Sequence, residues 1–188
     1  MPSFPYCVMK KLAFSLILGL LVIVADQATK QWALGALSGG RTMSVIGDFL
    51  SFKLAFNSGA AFSFGSSTTW IFTAIAAVVA AVLPYAIMKS RPAVSIVLGI
   101  VWGGAVGNLI DRLVREPGFP EGHVVDFINY NGWFIGNVAD IALVGGLAAL
   151  FLIEVFQPDV EPAADVDRSA DASDLPDAHE GSHTEAAK

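Results

Sequence analysis

Long apolar stretches alternate with polar connections along the chain, and this pattern predicts four membrane-spanning helices. The first stretch runs from about residue 12 to residue 25, and extending it to residue 37 gives the length of about 20 residues that a bilayer requires. The other three stretches cover residues 70–88, 93–110 and 137–156. None of the four alternates strictly between apolar and polar positions, as the strands of a membrane barrel do. The predicted fold class is therefore an all-α polytopic membrane protein.

The first apolar stretch has a second interpretation, because a basic start followed by an apolar centre is also typical of a cleaved signal peptide. Asp26 and Lys30 lie where small residues would lead to a cleavage site, and three more apolar stretches follow. Both features favour a helix that stays in the membrane.

Two polar connections lie between these stretches, and a polar tail follows the last of them. The first connection, residues 38–69, is rich in Gly, Ser and Phe, and partial alternation over residues 51–56 predicts a strand in a small sheet. The second connection, residues 114–136, lies on the same side of the membrane as the first if all four stretches span it. Residues 157–188 have almost nothing to bury, which predicts a disordered acidic tail.

Composition and charge agree with this division of the chain. Of the 188 residues, 54% are hydrophobic, and the mean hydropathy of +0.61 is too high for an ordinary soluble domain. The tail carries nine acidic and two basic residues, so the net charge of −6 becomes +1 without it. There is no basic stripe, and nucleic acid is not an expected partner. We divide the chain into an N-terminal segment (1–9), a membrane domain (10–156) and the tail (157–188).

Two acidic residues near the start of the fourth stretch are the main candidates for chemistry. Asp126 belongs to a Val-Val-Asp-Phe sequence in the preceding loop, and Asp140 ends an Asn-Val-Ala-Asp sequence. An ionisable group at membrane depth is costly and therefore indicates a functional site. Two carboxylates in one dry pocket would share a proton, which suits acid–base catalysis. A helix cap formed by Asn137 and Asp140 is the structural alternative, but it leaves Asp126 unexplained.

Polar residues in the first connection and the first stretch also have two interpretations each. Asp26 and Lys30 have i, i+4 spacing, which suits an ion pair at the membrane surface with Lys30 reaching water, or a pair that positions a site. Asn57 either begins a turn or provides an amide that hydrogen-bonds an extended substrate backbone.

The end of the third stretch combines packing residues with polar ones. Gly103 and Gly107 form a G-x-x-x-G pair, which indicates close helix packing. Asn108 and Arg112 share one helix face, and we expect that face to point at a cavity because lipid would be a costly neighbour. The simplest role for Asp111 is to neutralise Arg112.

Histidine and cysteine offer little further chemistry. His123 is a candidate proton carrier beside Asp126, while His179 and His183 have i, i+4 spacing in a segment with no predicted helix to hold a metal. Cys7 is the only cysteine, so an intrachain disulfide is excluded. We expect no metal and no cofactor.

Taken in order, five short motifs resemble those of the lipoprotein signal peptidases, the type II signal peptidases of bacteria. These motifs are D-Q-x-x-K, N-x-G-A-A-F, G-G-x-x-G-N-x-x-D-R, V-V-D-F and N-x-A-D, and they lie at matching places on the four apolar stretches. The resemblance covers about residues 10–156. The stretch from residue 115 to residue 122 looks longer than the usual link of the family.

The resemblance implies a four-helix membrane aspartic endopeptidase with a small extracytoplasmic β-like element. Its substrate would be a diacylglyceryl-modified prolipoprotein, cleaved just before the lipidated cysteine. Asp126 and Asp140 match the catalytic aspartates of the family. The residues that match its supporting polar positions are Asp26, Lys30, Asn57, Asn108, Arg112 and Asn137.

The resemblance also implies a multi-pass protein of the bacterial cytoplasmic membrane. The active site would lie near the extracytoplasmic face, both termini would be cytoplasmic, and the protein would act as a monomer among membrane lipids. Lys and Arg residues flank the two sides in nearly equal number, so charge alone supports this orientation weakly. A small proton-coupled transporter or channel is the alternative function, and a structural membrane subunit is a third.

Overall fold

The computed structural model describes residues 4–59 and 69–156. Within these ranges the chain forms four α-helices and a four-stranded antiparallel sheet. In chain order the elements are α1 (Phe4–Ala36), β1 (Thr42–Ile46), β2 (Leu50–Asn57), α2 (Thr69–Lys89), α3 (Pro92–Val114), β3 (Val124–Tyr130), β4 (Phe134–Gly136) and α4 (Val138–Val155).

All four helices are long and apolar enough to cross a membrane, which confirms the predicted spans. The largest differences from the sequence prediction are at the ends. Helix α1 begins at Phe4, and α3 continues past residue 110 to Val114, so Asp111 and Arg112 are helical. The predicted tail, with His179 and His183, lies outside the described residues.

Helix α3 lies at the centre and packs against the other three helices. A Cβ atom at Gly103 would lie 2.4 Å from the backbone oxygen of Gly19, and one at Gly107 would lie 2.8 Å from Asp26 Oδ2. These contacts confirm that the two glycines allow α1 and α3 to approach closely. The same approach brings the carboxylate of Asp26 against α3.

Helix ends away from the sheet are stabilised by local chemistry. Helix α3 begins at Pro92, where the missing N–H of proline has no intrahelical partner to lose. The ammonium of Lys11 donates hydrogen bonds to the backbone oxygens of Met88 and Ser90, at the C-terminal end of α2. A cation there satisfies carbonyl groups that the helix leaves free.

The sheet has the strand order β1-β2-β3-β4, with every neighbouring pair antiparallel. Strand β2 confirms the strand predicted over residues 51–56, but placing Asp126 in a loop was wrong, because Asp126 lies opposite Ala55 in the β2–β3 ladder. Residues 124–128 of β3 are all buried, so this strand shows none of the alternation that marks a half-exposed strand.

A small core joins the sheet to the end of α1. Its buried members are Ala33, Leu37, Phe127 and Ile128. The rings of Trp32, Phe52 and Phe127 contact one another with centroids 5.4–6.1 Å apart. This packing fixes β3, and with it Asp126, on the end of the helical bundle.

The link between α3 and β3 is held by its own backbone hydrogen bonds. His123 N donates to the backbone oxygen of Glu116 (3.0 Å), and Glu121 N donates to that of Gly118 (2.7 Å). The buried hydroxyl of Thr73, in α2, donates to the backbone oxygen of Pro120 at 2.6 Å. The long link is thus attached to the helices as well as to β3.

Candidate active site

Asn137 joins the two candidate carboxylates. It is the N-cap of α4, where its Oδ1 accepts from Asp140 N (3.0 Å) while Asp140 Oδ2 accepts from Asn137 N (3.0 Å). This reciprocal pair is the capping box predicted from the spacing. The Nδ2 of Asn137 donates to Asp126 Oδ1 at 2.6 Å. One residue therefore contacts the acid from β3 and the acid from α4.

Asp126 is almost entirely enclosed, with 2% of its surface exposed. Its Oδ2 accepts a hydrogen bond from Asn57 Nδ2 at 2.9 Å, and Asn57 Oδ1 accepts from Gly59 N at 2.7 Å. Burial, and after it the negative charge of Asp140, raise the pKa of Asp126 to about 6. The turn interpretation of Asn57 is confirmed, its side-chain amide also binds Asp126, and its contact with a substrate backbone stays a prediction.

Asp140 is half-buried and is held by Asn108 of α3. Asn108 Nδ2 donates to Asp140 Oδ1 at 2.9 Å, and Asn108 Oδ1 accepts from Lys30 Nζ at 2.9 Å. An ammonium can only donate, so Lys30 fixes which end of the Asn108 amide faces Asp140. These contacts turn the Asn108 side chain towards Lys30 and Asp140 rather than towards lipid, and the cavity expected at this helix face stays a prediction.

Lys30 lies at the centre of a buried ion cluster. Its Nζ is 2.8 Å from Asp26 Oδ2 and 2.9 Å from Asp111 Oδ2, and all three side chains are fully buried. The predicted i, i+4 ion pair is confirmed, but the expectation that Lys30 reaches water at the membrane surface was wrong. The Lys30 ammonium can be buried because two carboxylates and the Asn108 side-chain oxygen replace the water molecules that would hydrate it.

Each acid of this cluster also holds the backbone next to a candidate carboxylate. Asp26 Oδ1 accepts from Ala139 N (2.9 Å), and Asp111 Oδ2 accepts from Val125 N (3.0 Å). Ala139 directly precedes Asp140, and Val125 directly precedes Asp126. We call Asp26, Lys30 and Asp111 the buried clamp, because together they tie α1 and α3 to both acidic positions.

Sequence reasoning missed two parts of this cluster. Asp111 was expected to neutralise Arg112, but its ion pairs are with Lys30 and with Arg115, whose Nε lies 2.7 Å from Asp111 Oδ1. Gln27 Nε2 donates to Asp111 Oδ1 (3.2 Å) and to a backbone oxygen of α3. The i, i+4 spacing of Asp111 and Arg115 was the available signal for the second ion pair.

Arg112 lies one helical turn after Asn108 in α3 and carries a positive charge. Its side chain lies over the ring of Phe72, with Cζ 5.6 Å from the centroid, and the residue is 8% exposed. Nη1 is buried and has no hydrogen-bond partner in the part of the chain that the structure describes. The guanidinium is within electrostatic range of Asp126 and Asp140. Its unpartnered Nη1 is therefore available to donate a hydrogen bond to a further group.

Two grooves border this arrangement. One, of about 410 Å³, starts at Asp140 and follows α4, and its lining residues are Tyr130, Phe134, Gly136, Asn137, Asp140, Ile141, Val144 and Gly145. The other, of about 740 Å³, is lined by Phe56, Val114, Arg115, Glu116, Pro117 and His123. His123 thus lies in the second groove, and its backbone N–H binds Glu116.

Residues 4–59 and 69–156 contain no group of three or more His, Cys, Asp or Glu side chains that could hold a metal ion. The carboxylates of the site bind amide groups, backbone N–H groups, Lys30 and Arg115 instead. Such a donor set suits proton transfer by carboxyl groups.

Comparison with known proteins identifies a family. The family described as signal peptidase (SPase) II matches residues 18–156. The chain is 44% identical over 138 residues to the lipoprotein signal peptidase of Bifidobacterium longum (strain DJO10A), covering 72% of this chain and 75% of that protein. It is 38% identical over 172 residues to the lipoprotein signal peptidase of Mycolicibacterium smegmatis, covering 88% and 73%.

Two solved structures share the fold. Both are described as bacterial membrane enzymes solved by the in meso method, one at 1.9 Å and one at 2.3 Å resolution. The first has a TM-score of 0.67 and 27% identity, covering 77% of this chain and 94% of that one. The second has a TM-score of 0.65 and 28% identity, covering 75% and 87%.

Proposed function

This chain belongs to the signal peptidase II family, and we propose that Asp126 and Asp140 are its catalytic pair. Family membership makes the chain a membrane peptidase that removes signal peptides from lipoprotein precursors, and not a transporter or channel. The observation that carries the proposed pair is Asn137, which contacts both carboxylates. We assign the enzyme to the aspartic type on this basis.

The pair would work with one shared proton. Two close carboxylates cannot both ionise cheaply, so their protons leave in two steps that belong to the pair. The raised pKa of Asp126 fits such sharing. The ionised carboxylate takes a proton from a water molecule, whose oxygen attacks the scissile carbonyl carbon, while the protonated carboxyl donates to the carbonyl oxygen. The tetrahedral intermediate then collapses, and the departing amine takes a proton from the pair.

Arg112 is the best-placed group to bind the substrate next to the pair. Its unpartnered Nη1 can donate to a backbone carbonyl of the substrate or to the oxygen that gains charge during attack. Removing one such donor from other hydrolases raises the barrier by about 2.7–4 kcal/mol. Asn57, Asn108 and Asn137 hold the carboxylates themselves, so we assign them positioning roles.

The proposed substrate is a diacylglyceryl-modified prolipoprotein, cleaved before its lipidated cysteine. The apolar groove beside Asp140 and the membrane-spanning helices suit a substrate whose reacting bond lies at the bilayer surface. We further propose that the site faces the extracytoplasmic side, that both termini are cytoplasmic, and that the enzyme acts as a monomer in contact with membrane lipids.

The test is a cleavage assay in detergent with a synthetic diacylglyceryl-modified precursor peptide. Asp126→Asn and Asp140→Asn should each lower kcat by at least about 10²-fold, because acid–base assistance is typically worth about 10²–10⁴-fold. Asp48→Asn is the matched control, since Asp48 is an exposed acid between β1 and β2, and it should cleave at the wild-type rate. Retention of more than about one hundredth of the wild-type rate by either site variant would contradict the aspartic mechanism.

A further inference from the structure

The ring of Phe72, in α2, contacts two parts of the proposed active site. The guanidinium of Arg112 lies over this ring, with Cζ 5.6 Å from the ring centroid. A Cβ atom at Gly59 would lie 2.5 Å from Cδ2 of the same ring, so the backbone of Gly59 is packed against it. Gly59 N binds the side chain of Asn57, which in turn donates to Asp126. Phe72 therefore joins α2 both to Arg112 and to the turn that holds Asp126.

The first turn of α2 keeps Phe72 in this place. Thr69 and Thr73 have i, i+4 spacing, so they share one face of the helix, and both are buried. The hydroxyl of Thr73 donates to the backbone oxygen of Pro120 at 2.6 Å. Rotation of α2 about its axis would break this hydrogen bond and expose both threonines. The ring next to Thr73 is thus held beside Arg112 although 41% of Phe72 is exposed.

An aromatic partner holds an arginine differently from a carboxylate. The face of a ring attracts a cation through its negative charge and takes up none of the N–H donors of the guanidinium. A carboxylate accepts hydrogen bonds from those donors, as Asp111 does from Nε of Arg115 at 2.7 Å. Nη1 of Arg112 is buried and has no hydrogen-bond partner within residues 4–59 and 69–156. The contact with Phe72 therefore fixes the charge of Arg112 while this donor stays available.

We propose that Phe72 is a positioning residue, whose ring holds the Arg112 guanidinium by a cation–π contact and leaves Nη1 free to donate to the substrate. The inference rests on the proposed function, because it takes the scissile carbonyl, or the oxygen that gains charge during attack, as the partner of Nη1. Phe72 acts through Arg112 and makes no contact with the reacting atoms. A leucine at residue 72 would fill similar space without a negatively charged face, so shape alone does not replace the ring.

The experiment changes the charge distribution of the ring and keeps its shape. Phenylalanine analogues with one, two or three ring fluorines replace Phe72, and each protein is assayed with the diacylglyceryl-modified precursor peptide. Fluorine withdraws electron density from the ring face, so kcat/KM should fall with each fluorine, by about 3- to 10-fold in the trifluoro protein, as expected for a partly exposed cation–π contact. Phe72→Leu should lose at least as much, and Phe72→Tyr should stay near the wild-type value.

Two controls separate this contact from packing. Phe14 is 53% exposed and lies twelve residues before Asp26 in α1, about 18 Å along the helix, so the same analogues at residue 14 should leave kcat/KM unchanged. Arg112→Gln removes the charge and keeps an amide donor. In that variant the fluorine series at residue 72 should give a constant kcat/KM, because no cation remains over the ring.

Thermal unfolding of each purified protein checks folding. The fluorinated proteins should unfold near the wild-type temperature, since the ring keeps its size. If Phe72→Leu does not fold, the fluorine series alone decides.

Two results would overturn the inference. A constant kcat/KM throughout the fluorine series in the otherwise wild-type protein would reduce Phe72 to a packing residue. An equal fall in the Arg112→Gln variant would mean that the ring acts on a group other than Arg112. Failure of the proposed function looks different, because the wild type would then leave the lipopeptide uncleaved, or Asp126→Asn would cleave it.

Discussion

The choice of asparagine at residue 137 follows from the two contacts that its side chain makes. Its oxygen accepts from the backbone of Asp140, as an N-cap residue must, and its nitrogen donates to Asp126. An aspartate could form the cap but would place another negative charge against Asp126 and could not donate when ionised. Asparagine can therefore cap α4 and at the same time donate a hydrogen bond to Asp126.

The pKa of Asp126 makes a prediction about stability and pH. A carboxyl group whose pKa rises from 3.8 in the unfolded chain to about 6 binds its proton more tightly in the folded protein. The wild type should therefore lose stability as pH rises from about 4 to about 6, by at most about 3 kcal/mol from this group, and change little above that range. Asp126→Asn removes the titrating group, so its stability should vary less over the same interval.

Thermal unfolding in detergent between pH 4 and pH 8 measures this difference. The quantity of interest is the unfolding temperature of Asp126→Asn minus that of the wild type, which should increase with pH. Asp48→Asn again serves as control, because its carboxyl group is exposed. A difference between Asp126→Asn and wild type that stays constant with pH would contradict the assignment.

Asp111 carries a second prediction at the level of single residues. Asp111→Asn removes the charge that pairs with Lys30 and Arg115. Breaking a buried ion pair from one side typically costs about 3–5 kcal/mol, because the remaining charge stays buried. Since Asp111 also holds the backbone of Val125, we expect a lower kcat as well as a lower unfolding temperature.

Glu154→Gln is the comparison for that variant. Glu154 pairs with Arg91 at 3.2 Å, but both side chains are substantially exposed. Exposed ion pairs contribute about 0–1 kcal/mol, so this variant should unfold and cleave almost as the wild type does. If Asp111→Asn and Glu154→Gln lower the unfolding temperature and kcat equally, the buried clamp stabilises the protein no more than an exposed ion pair does.

At the scale of elements, the close contact of α1 with α3 gives the next prediction. Gly103→Ala forces a Cβ to within 2.4 Å of the backbone of Gly19, which cannot move away as a side chain would. Overpacking of this kind costs about 1–3 kcal/mol. Gly35→Ala adds the same methyl group where nothing lies within 4 Å, and it should be neutral or slightly stabilising.

Unfolding temperatures of these two alanine variants test the packing directly. We expect a fall for Gly103→Ala and none for Gly35→Ala. Activity should fall together with stability in Gly103→Ala, because the same helix contact brings Asp26 against α3. If Gly103→Ala unfolds at the wild-type temperature, α1 and α3 are not packed as closely as these contacts require.

Elements differ in how well the sequence alone could predict them. The helices follow from stretches long enough to cross a bilayer, and their number and order needed no tertiary information. Strand β3 could not be recognised, because burial on both faces removed the alternation. Helix α3 was predicted too short, since a buried Asp111 and Arg112 look like the polar end of a span.

The candidate site shows the same limit. The motifs indicated which residues to examine, and the i, i+4 spacing predicted the pair of Asp26 with Lys30. Spacing could not indicate that Lys30 also binds Asp111 and Asn108, because these contacts join helices that are far apart in the chain. Long-range partners of a buried cation depend on how the helices pack, and local pattern does not contain that information.

At the scale of the whole molecule, the last prediction concerns the side of the membrane that the site faces. Four spans put the sheet and both polar connections at one end of the helices and the two ends of the membrane domain at the other. Lys and Arg residues are nearly balanced between the two ends, so the positive-inside rule decides little. We propose the extracytoplasmic side for the site, where a translocated precursor presents its cysteine.

Reporter fusions test this orientation directly. A reporter joined after Phe156, at the end of the described membrane domain, should behave as cytoplasmic. A reporter inserted at Gly118, in the link between α3 and β3, should behave as extracytoplasmic. A third fusion after Lys89, between α2 and α3, is the internal control and should match the first. The opposite pattern would place Asp126 and Asp140 on the cytoplasmic side, where a translocated lipoprotein precursor could not reach them.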